Sequence, residues 1–72
     1  MSTIVDARGL SCPQPVLMTL EEVQRLKKGE IEVLVDTDTS RENVSRAAES
    51  KQWQVQEILE EGEGYRIKLK KE

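Results

Sequence analysis

Histidine and phenylalanine are absent from this chain, cysteine occurs once, and the aromatics are one tryptophan and one tyrosine. Without histidine, the usual general base near neutral pH and the commonest zinc ligand are both missing, so histidine-based triads and zinc sites are excluded. A single cysteine permits no intramolecular disulfide, so the core is not stapled as in secreted mini-domains. The thiol is either inert or does its chemistry with another molecule. Apolar runs such as VLM and VLV are far too short to span a bilayer, and no basic n-region with an h-region opens the sequence. A cytosolic protein with no membrane partner is expected.

What is present suits one small domain. Seventy-two residues, 36% hydrophobic and 35% charged, supply a modest core and leave no room for a second one, so a single domain over 1–72 that folds alone is expected, as a monomer. The net charge, 11 − 14 = −3, offers no long-range attraction to nucleic acid, and no direct nucleic-acid binding is expected.

Strand and helix signals alternate along the chain. TIVDA (3–7) is β-branched and precedes a Gly9 turn, which reads as a first strand. From Pro13 to about Lys28, Val16, Leu17, Leu20, Val23 and Leu26 recur at helical spacing, with Gly29 placed for a C-terminal cap. Pro13 and Pro15 fit the first turn, where amides lack intrahelical partners. IEVLVD (31–36) reads as a strand with Ile31, Val33 and Val35 on one face. Thr39 and Glu42 have capping-box spacing before a second helix over 40–51, marked by Val44, Ala47, Ala48 and the stem of Lys51. WQVQEIL (53–59) alternates and then loses phase at Glu57 and Ile58, which predicts a bulge or an edge position. EGEG then leads by a hairpin turn into the alternating strand YRIKLK (65–70).

The order β-α-β-α-β-β implies a two-layer α/β (α+β) sandwich, a four-stranded mixed sheet with two helices on one face. Trp53 and Tyr65 fall on inward positions. The open face then carries Glu32, Asp36, Gln54, Gln56, Arg66, Lys68 and Lys70.

The chemistry centres on GLSCPQPVLM (9–18), where Cys12 stands at the N-cap of the first helix. A helix N-terminus favours thiolate over thiol, and thiolate is the nucleophile. Because Pro13 and Pro15 have no N–H to donate, activation is expected to be moderate, while their fixed φ holds the sulfur at a rigid, protruding tip. Burial as a small hydrophobe is the competing reading, and the flanking Ser11, Gln14 and Gly9 turn argue against it. With no resolving cysteine, disulfide exchange fits poorly. A carrier that accepts a sulfane sulfur and passes it on needs only nucleophilicity, exposure and a docking surface.

The run DARGLSCPQPVLMTLEEVQRLKKGEIEVLVD (6–36), with Cys-Pro-Gln-Pro ahead of a helix, resembles the TusA/SirA/YedF family of small sulfur carriers and their Cys-Pro-x-Pro signature. Asp6, Gly9, Leu10, Cys12, Pro13, Pro15 and Gly29 carry the match, and TSRENVSRAAESKQWQV (39–55) looks closest to the YedF branch, associated with selenium metabolism. The resemblance implies a β-α-β-α-β-β domain in which Cys12 carries a persulfide received from a cysteine desulfurase. It further implies relay to an acceptor protein or a tRNA-modifying enzyme, a sulfurtransferase-type carrier rather than a stand-alone multi-turnover enzyme, with no cofactor and no metal.

Three further residues are candidates for anion or partner contact. Met18 falls opposite the predicted core stripe, one turn beyond Gln14, and would help dock a partner beside the thiol, against the ordinary reading of an isolated apolar surface residue. Arg8 and Arg41 would stabilise a thiolate or persulfide if they lie near it, against the ordinary reading of solvated charge. Arg41 is favoured, since the resemblance places an arginine at the start of the second helix. Asp6 reads as turn chemistry, and Asp36, Asp38 and Glu42 as capping and dipole compensation. The alternative function is a non-catalytic RNA- or protein-binding module using the open sheet face and the basic RIKLKK segment.

Overall fold

A computed structural model of the chain describes residues 2–10, 14–62 and 64–72. Among the described residues the elements run β1 (Ser2–Asp6), α1 (Gln14–Leu26), β2 (Gly29–Val35), α2 (Asp38–Ser50), β3 (Gln54–Glu61) and β4 (Gly64–Lys71). The strands form a four-stranded mixed sheet in the order β1-β2-β4-β3. β1 pairs parallel to β2, with Thr3 opposite Ile31 and Val5 opposite Val33. β4 runs antiparallel to both β2 and β3, so the sequence-predicted α+β sandwich is the fold. Both helices start from the C-terminal ends of the two parallel strands, which brings their N-termini to one end of the sheet.

Period-2 alternation decides the sheet's inner face. Ile31, Val33 and Val35 of β2 and Ile67 and Leu69 of β4 are buried, with Val5 of β1 beside them. Each such side chain contributes about 1.5–3 kcal/mol by leaving water, an upper estimate against a compact unfolded chain. From α2, Ser40, Val44 and Ala48 close over β3 and β4, and the small Ala48 lets the helix approach the sheet. Trp53, 2% exposed, fills the space between the end of α2 and the start of β3. Tyr65 is only half-buried, packing its ring against the core while its hydroxyl reaches α2.

Helix α1 covers β1 and β2 with a stripe rotated from the one its leucines predict. Its buried residues are Pro15, Thr19 and Val23, at i, i+4 and i+8, with Leu26 completing the row as a half-buried residue. Pro15 has no exposed polar group to lose, and the Thr19 hydroxyl donates to the Pro15 carbonyl at 2.9 Å, so both bury without an unsatisfied donor. Two expectations are corrected by this rotation. Leu17 points outward and is 49% exposed. Met18, expected opposite the core, packs half-buried against it.

The helix caps also differ from expectation. The residue of positive φ after α1 is Lys27, at 63°, whereas Gly29 (φ 118°) already opens β2. At α2 the N-cap is Thr37, not Thr39: its backbone is extended, and its hydroxyl oxygen accepts from Ser40 N–H at 3.0 Å. In a run of candidate caps, the one at the end of β2 wins because the chain must leave the sheet there.

The outer face is covered by crossed charges. Arg66 donates to Glu32 at 2.7 Å and to Glu61 at 2.8 Å, and both carboxylates hold its guanidinium protonated. Lys68 lies 3.8 Å from Glu57, whose neighbourhood holds the expected bulge: the β3 register shifts between Val55 and Glu57, on the edge strand. No helix of the described residues is long and apolar enough to cross a membrane.

Candidate functional site: the turn ahead of the thiol

Cys12, with Ser11 and Pro13, lies outside the described residues. The chain on either side of it is described. Past β1 the parallel ladder continues for one residue, Ala7 N–H donating to the Leu34 carbonyl at 2.9 Å, and Ala7 is fully buried. The chain then reverses over Ala7–Leu10, closed by Leu10 N–H to the Ala7 carbonyl at 3.4 Å. Gly9 occupies the third place with φ 79°, the value that a type II turn requires there and that glycine adopts without strain.

Every amide of this turn has a partner. Arg8 N–H donates to Asp6 Oδ1 at 3.2 Å, as the Asp6 turn chemistry predicts. Gly9 N–H donates to Asp36 Oδ2 at 2.7 Å, across 27 residues of sequence. Together with Leu10, three successive donors are therefore satisfied by partners among the described residues. The Arg8 guanidinium grips Asp6 through Nε and Nη2, both at 3.0 Å, while remaining largely in solvent.

That grip holds the Asp6 carboxyl down from 3.8 to about 2, chiefly through the Arg8 side chain and then its amide. A depressed carboxylate stabilises the fold above its unfolded value and loses that effect as pH falls through the folded one. We expect Asp6→Asn to flatten the acid limb of the stability curve between about pH 4 and 2. Unfolding followed by Trp53 fluorescence reads this, and an unchanged acid limb contradicts it.

Beyond the cysteine, Gln14 is exposed at the start of α1, and Pro15 is buried beneath it. Pro15 thus anchors the helix start in the core as well as stiffening it. Leu10 and Leu17, which flank Cys12 in the chain, are both exposed.

Arg41 belongs to a second cluster, at the start of α2. Its guanidinium carbon sits 5.2 Å from the Tyr65 ring centroid, and its Nε lies 3.7 Å from Asp38 Oδ1. That Nε is buried without a hydrogen bond among the described residues. Arg41, Asp38 and Tyr65 line a shallow open groove with Ile58, Leu59 and Glu60. Among the described residues, no group of three acidic, cysteine or histidine side chains is arranged to hold a metal.

Tyr65 donates its hydroxyl to Asp38 Oδ1. This bond, then burial and the carboxylate's charge, push its ionisation above 10.0, with Arg41 opposing. A raised value means that the protonated phenol stabilises the fold fully below its unfolded value, and that this contribution is lost as pH climbs through the native one. Tyr65 is the only tyrosine, so tyrosinate absorbance reads it alone. The midpoint should lie above that of free tyrosine and fall in Asp38→Asn. A wild-type midpoint at the ordinary value would refute the pairing.

Sequence reasoning missed two partners, Asp36 for Gly9 and Asp38 for Tyr65. Both bonds span 27 residues. The available signal was topological: parallel neighbours end side by side, so an acidic residue just past β2 falls against the turn just past β1.

Comparison with known proteins agrees with this architecture over the whole site. The family model described as sulfurtransferase TusA matches residues 3–71. YedF of Escherichia coli K12, provisionally named a sulfur carrier protein, is 37% identical over 68 residues, covering 93% of this chain and 88% of the relative. MJ0990 of Methanocaldococcus jannaschii, named in the same provisional way, is 37% identical over 68 residues, covering 93% and 91%. The crystal structure of a SirA-like protein from Desulfitobacterium hafniense superposes with a TM-score of 0.86 at 32% identity, over 97% of this chain and 96% of that one. The matched span runs through the Cys-Pro-Gln-Pro segment, the turn before it and the sheet that carries both, and the chain therefore belongs to the TusA family of sulfur carriers.

Proposed function

We propose that this protein accepts a sulfane sulfur on Cys12 from the persulfide of a cysteine desulfurase and relays it to an acceptor protein or a tRNA-modifying enzyme in the cytoplasm. The observation that carries this reading is the position of the chain's only thiol within the Cys-Pro-Gln-Pro segment of a TusA-family match over 3–71.

The chemistry is balanced without base, metal or redox partner. The Cys12 thiolate attacks the outer sulfur of the donor persulfide; a Cys12 S–S bond forms, and the donor S–S bond breaks. The donor leaves as a thiolate that takes up a proton, in place of the one Cys12 released to solvent. Sulfur keeps its oxidation level. Delivery repeats the exchange with the acceptor as nucleophile. Pro13 and Pro15 serve presentation, Pro15 from a buried position.

A binding module on the open face is less well supported. Arg66 and Lys68, which that reading would offer to phosphates, are paired with Glu32, Glu61 and Glu57. Trp53, which it would need for stacking, is buried on the other side of the sheet.

Loading tests the proposal. Incubation with a cysteine desulfurase and cysteine, followed by intact mass, should show a gain of one sulfur that reductant removes, and no gain in Cys12→Ser. No adduct on the wild type, or the same adduct on Cys12→Ser, would overturn it.

A further inference from the structure

We propose that Asp36 is a positioning residue for sulfur transfer, holding the thiol-bearing loop in register for a protein donor through the Gly9 amide. This rests on Cys12 as the carrier thiol.

The turn Ala7–Leu10 has two accessible forms. Type I and type II turns share their ends but differ by turning over the central peptide, here the one joining Arg8 to Gly9. Gly9, at φ 79°, is in the second form. Nothing within the turn enforces this, because the closing bond from Leu10 to Ala7 is common to both. The group that distinguishes them is Asp36, whose Oδ2 accepts the Gly9 N–H at 2.7 Å. A charge-assisted bond of that length, reaching from the β2–α2 connection to the β1–α1 loop, sets the direction of the peptide three residues before Cys12.

Its loss should be felt in function before stability. The Gly9 amide is exposed, so water replaces the carboxylate once it is gone, and no buried donor is stranded. The loop then samples both peptide orientations. A small alkylating reagent, which approaches the sulfur from any side, is indifferent to that. A protein donor must bring one persulfide sulfur within reach of one thiolate, and misplacement by an ångström costs orders of magnitude in such reactions.

Charge cannot explain the predicted loss. Removing a carboxylate favours any anion beside it, so an effect of charge on thiol ionisation would change transfer in the opposite direction.

The test compares Asp36→Ala and Asp36→Asn in the full chain, both checked as folded by Trp53 fluorescence. Single-turnover sulfur uptake from a loaded cysteine desulfurase should fall ~10-fold or more in Asp36→Ala. The pH profile of Cys12 alkylation by iodoacetamide should stay within about 2-fold of wild type, since the reagent has no orientational demand. Gly9 amide exchange, followed by NMR, should accelerate. Asp36→Asn keeps an acceptor oxygen and should recover most of the uptake and protection. Wild-type uptake in Asp36→Ala would overturn the role alone. So would an equal fall in uptake and alkylation, or an Asp36→Asn no better than the alanine variant. A wild type that takes no sulfur overturns the carrier reading, and this role with it.

Discussion

Gly64→Ala should lower the unfolding temperature by on the order of 12–24 °C, at about 3 kcal/mol and 4–8 °C per kcal/mol for a domain of this size. A Cβ at Gly64 would lie 2.3 Å from the Val35 carbonyl oxygen and 3.1 Å from Asp36 Cα. Both are backbone atoms, so no flexible side chain can swing aside. Either β4 withdraws from the end of β2, opening the Val35–Tyr65 pairing, or the connection carrying Asp36 is displaced. Against a total stability of about 4–11 kcal/mol for 72 residues, that is a large fraction. Gly62→Ala is the control: its φ of 60° imposes backbone strain of about 1–2 kcal/mol, but a Cβ there meets nothing within 4 Å. Equal losses in the two variants would contradict the steric account. Because Gly64 abuts the segment that holds Gly9, the folded fraction of Gly64→Ala should also show faster Gly9 amide exchange.

The second large effect is complete loss of sulfur uptake in Cys12→Ser. Serine keeps the size and loses the nucleophile, and no other thiol exists in the chain to substitute. The amides of Arg8, Gly9 and Leu10 are engaged by Asp6, Asp36 and Ala7, and the Arg8 guanidinium is held by Asp6. The described turn ahead of the thiol therefore has its amide donors and its arginine already engaged.

These two variants also mark how far the amino-acid sequence reads directly. The sheet was legible because β2 and β4 alternate without fault, and the phase slip near Glu57 revealed the bulged edge strand. Helix α1 was legible as a helix, but its buried stripe was not. Pro15 was read only as first-turn stiffening and Thr19 is polar, yet both bury, so the pattern of leucines assigned Leu17 to the core and Met18 to solvent. The Cys-Pro-Gln-Pro motif made the family legible. Asp36 was not, because it reads as capping chemistry until the parallel pairing of β1 and β2 sets it against Gly9.

The most direct measurement is the fate of labelled sulfur in a single exchange. The protein is loaded with radiolabelled sulfur from a desulfurase and freed of donor and cysteine. It is then mixed with unlabelled, sulfur-free desulfurase. A carrier holding its sulfur as a Cys12 persulfide should bind one label per chain and return it to the desulfurase thiol, with Cys12→Ser neither taking nor giving any. Label that stays on the chain, leaves only as free sulfide, or binds Cys12→Ser equally well would contradict the account.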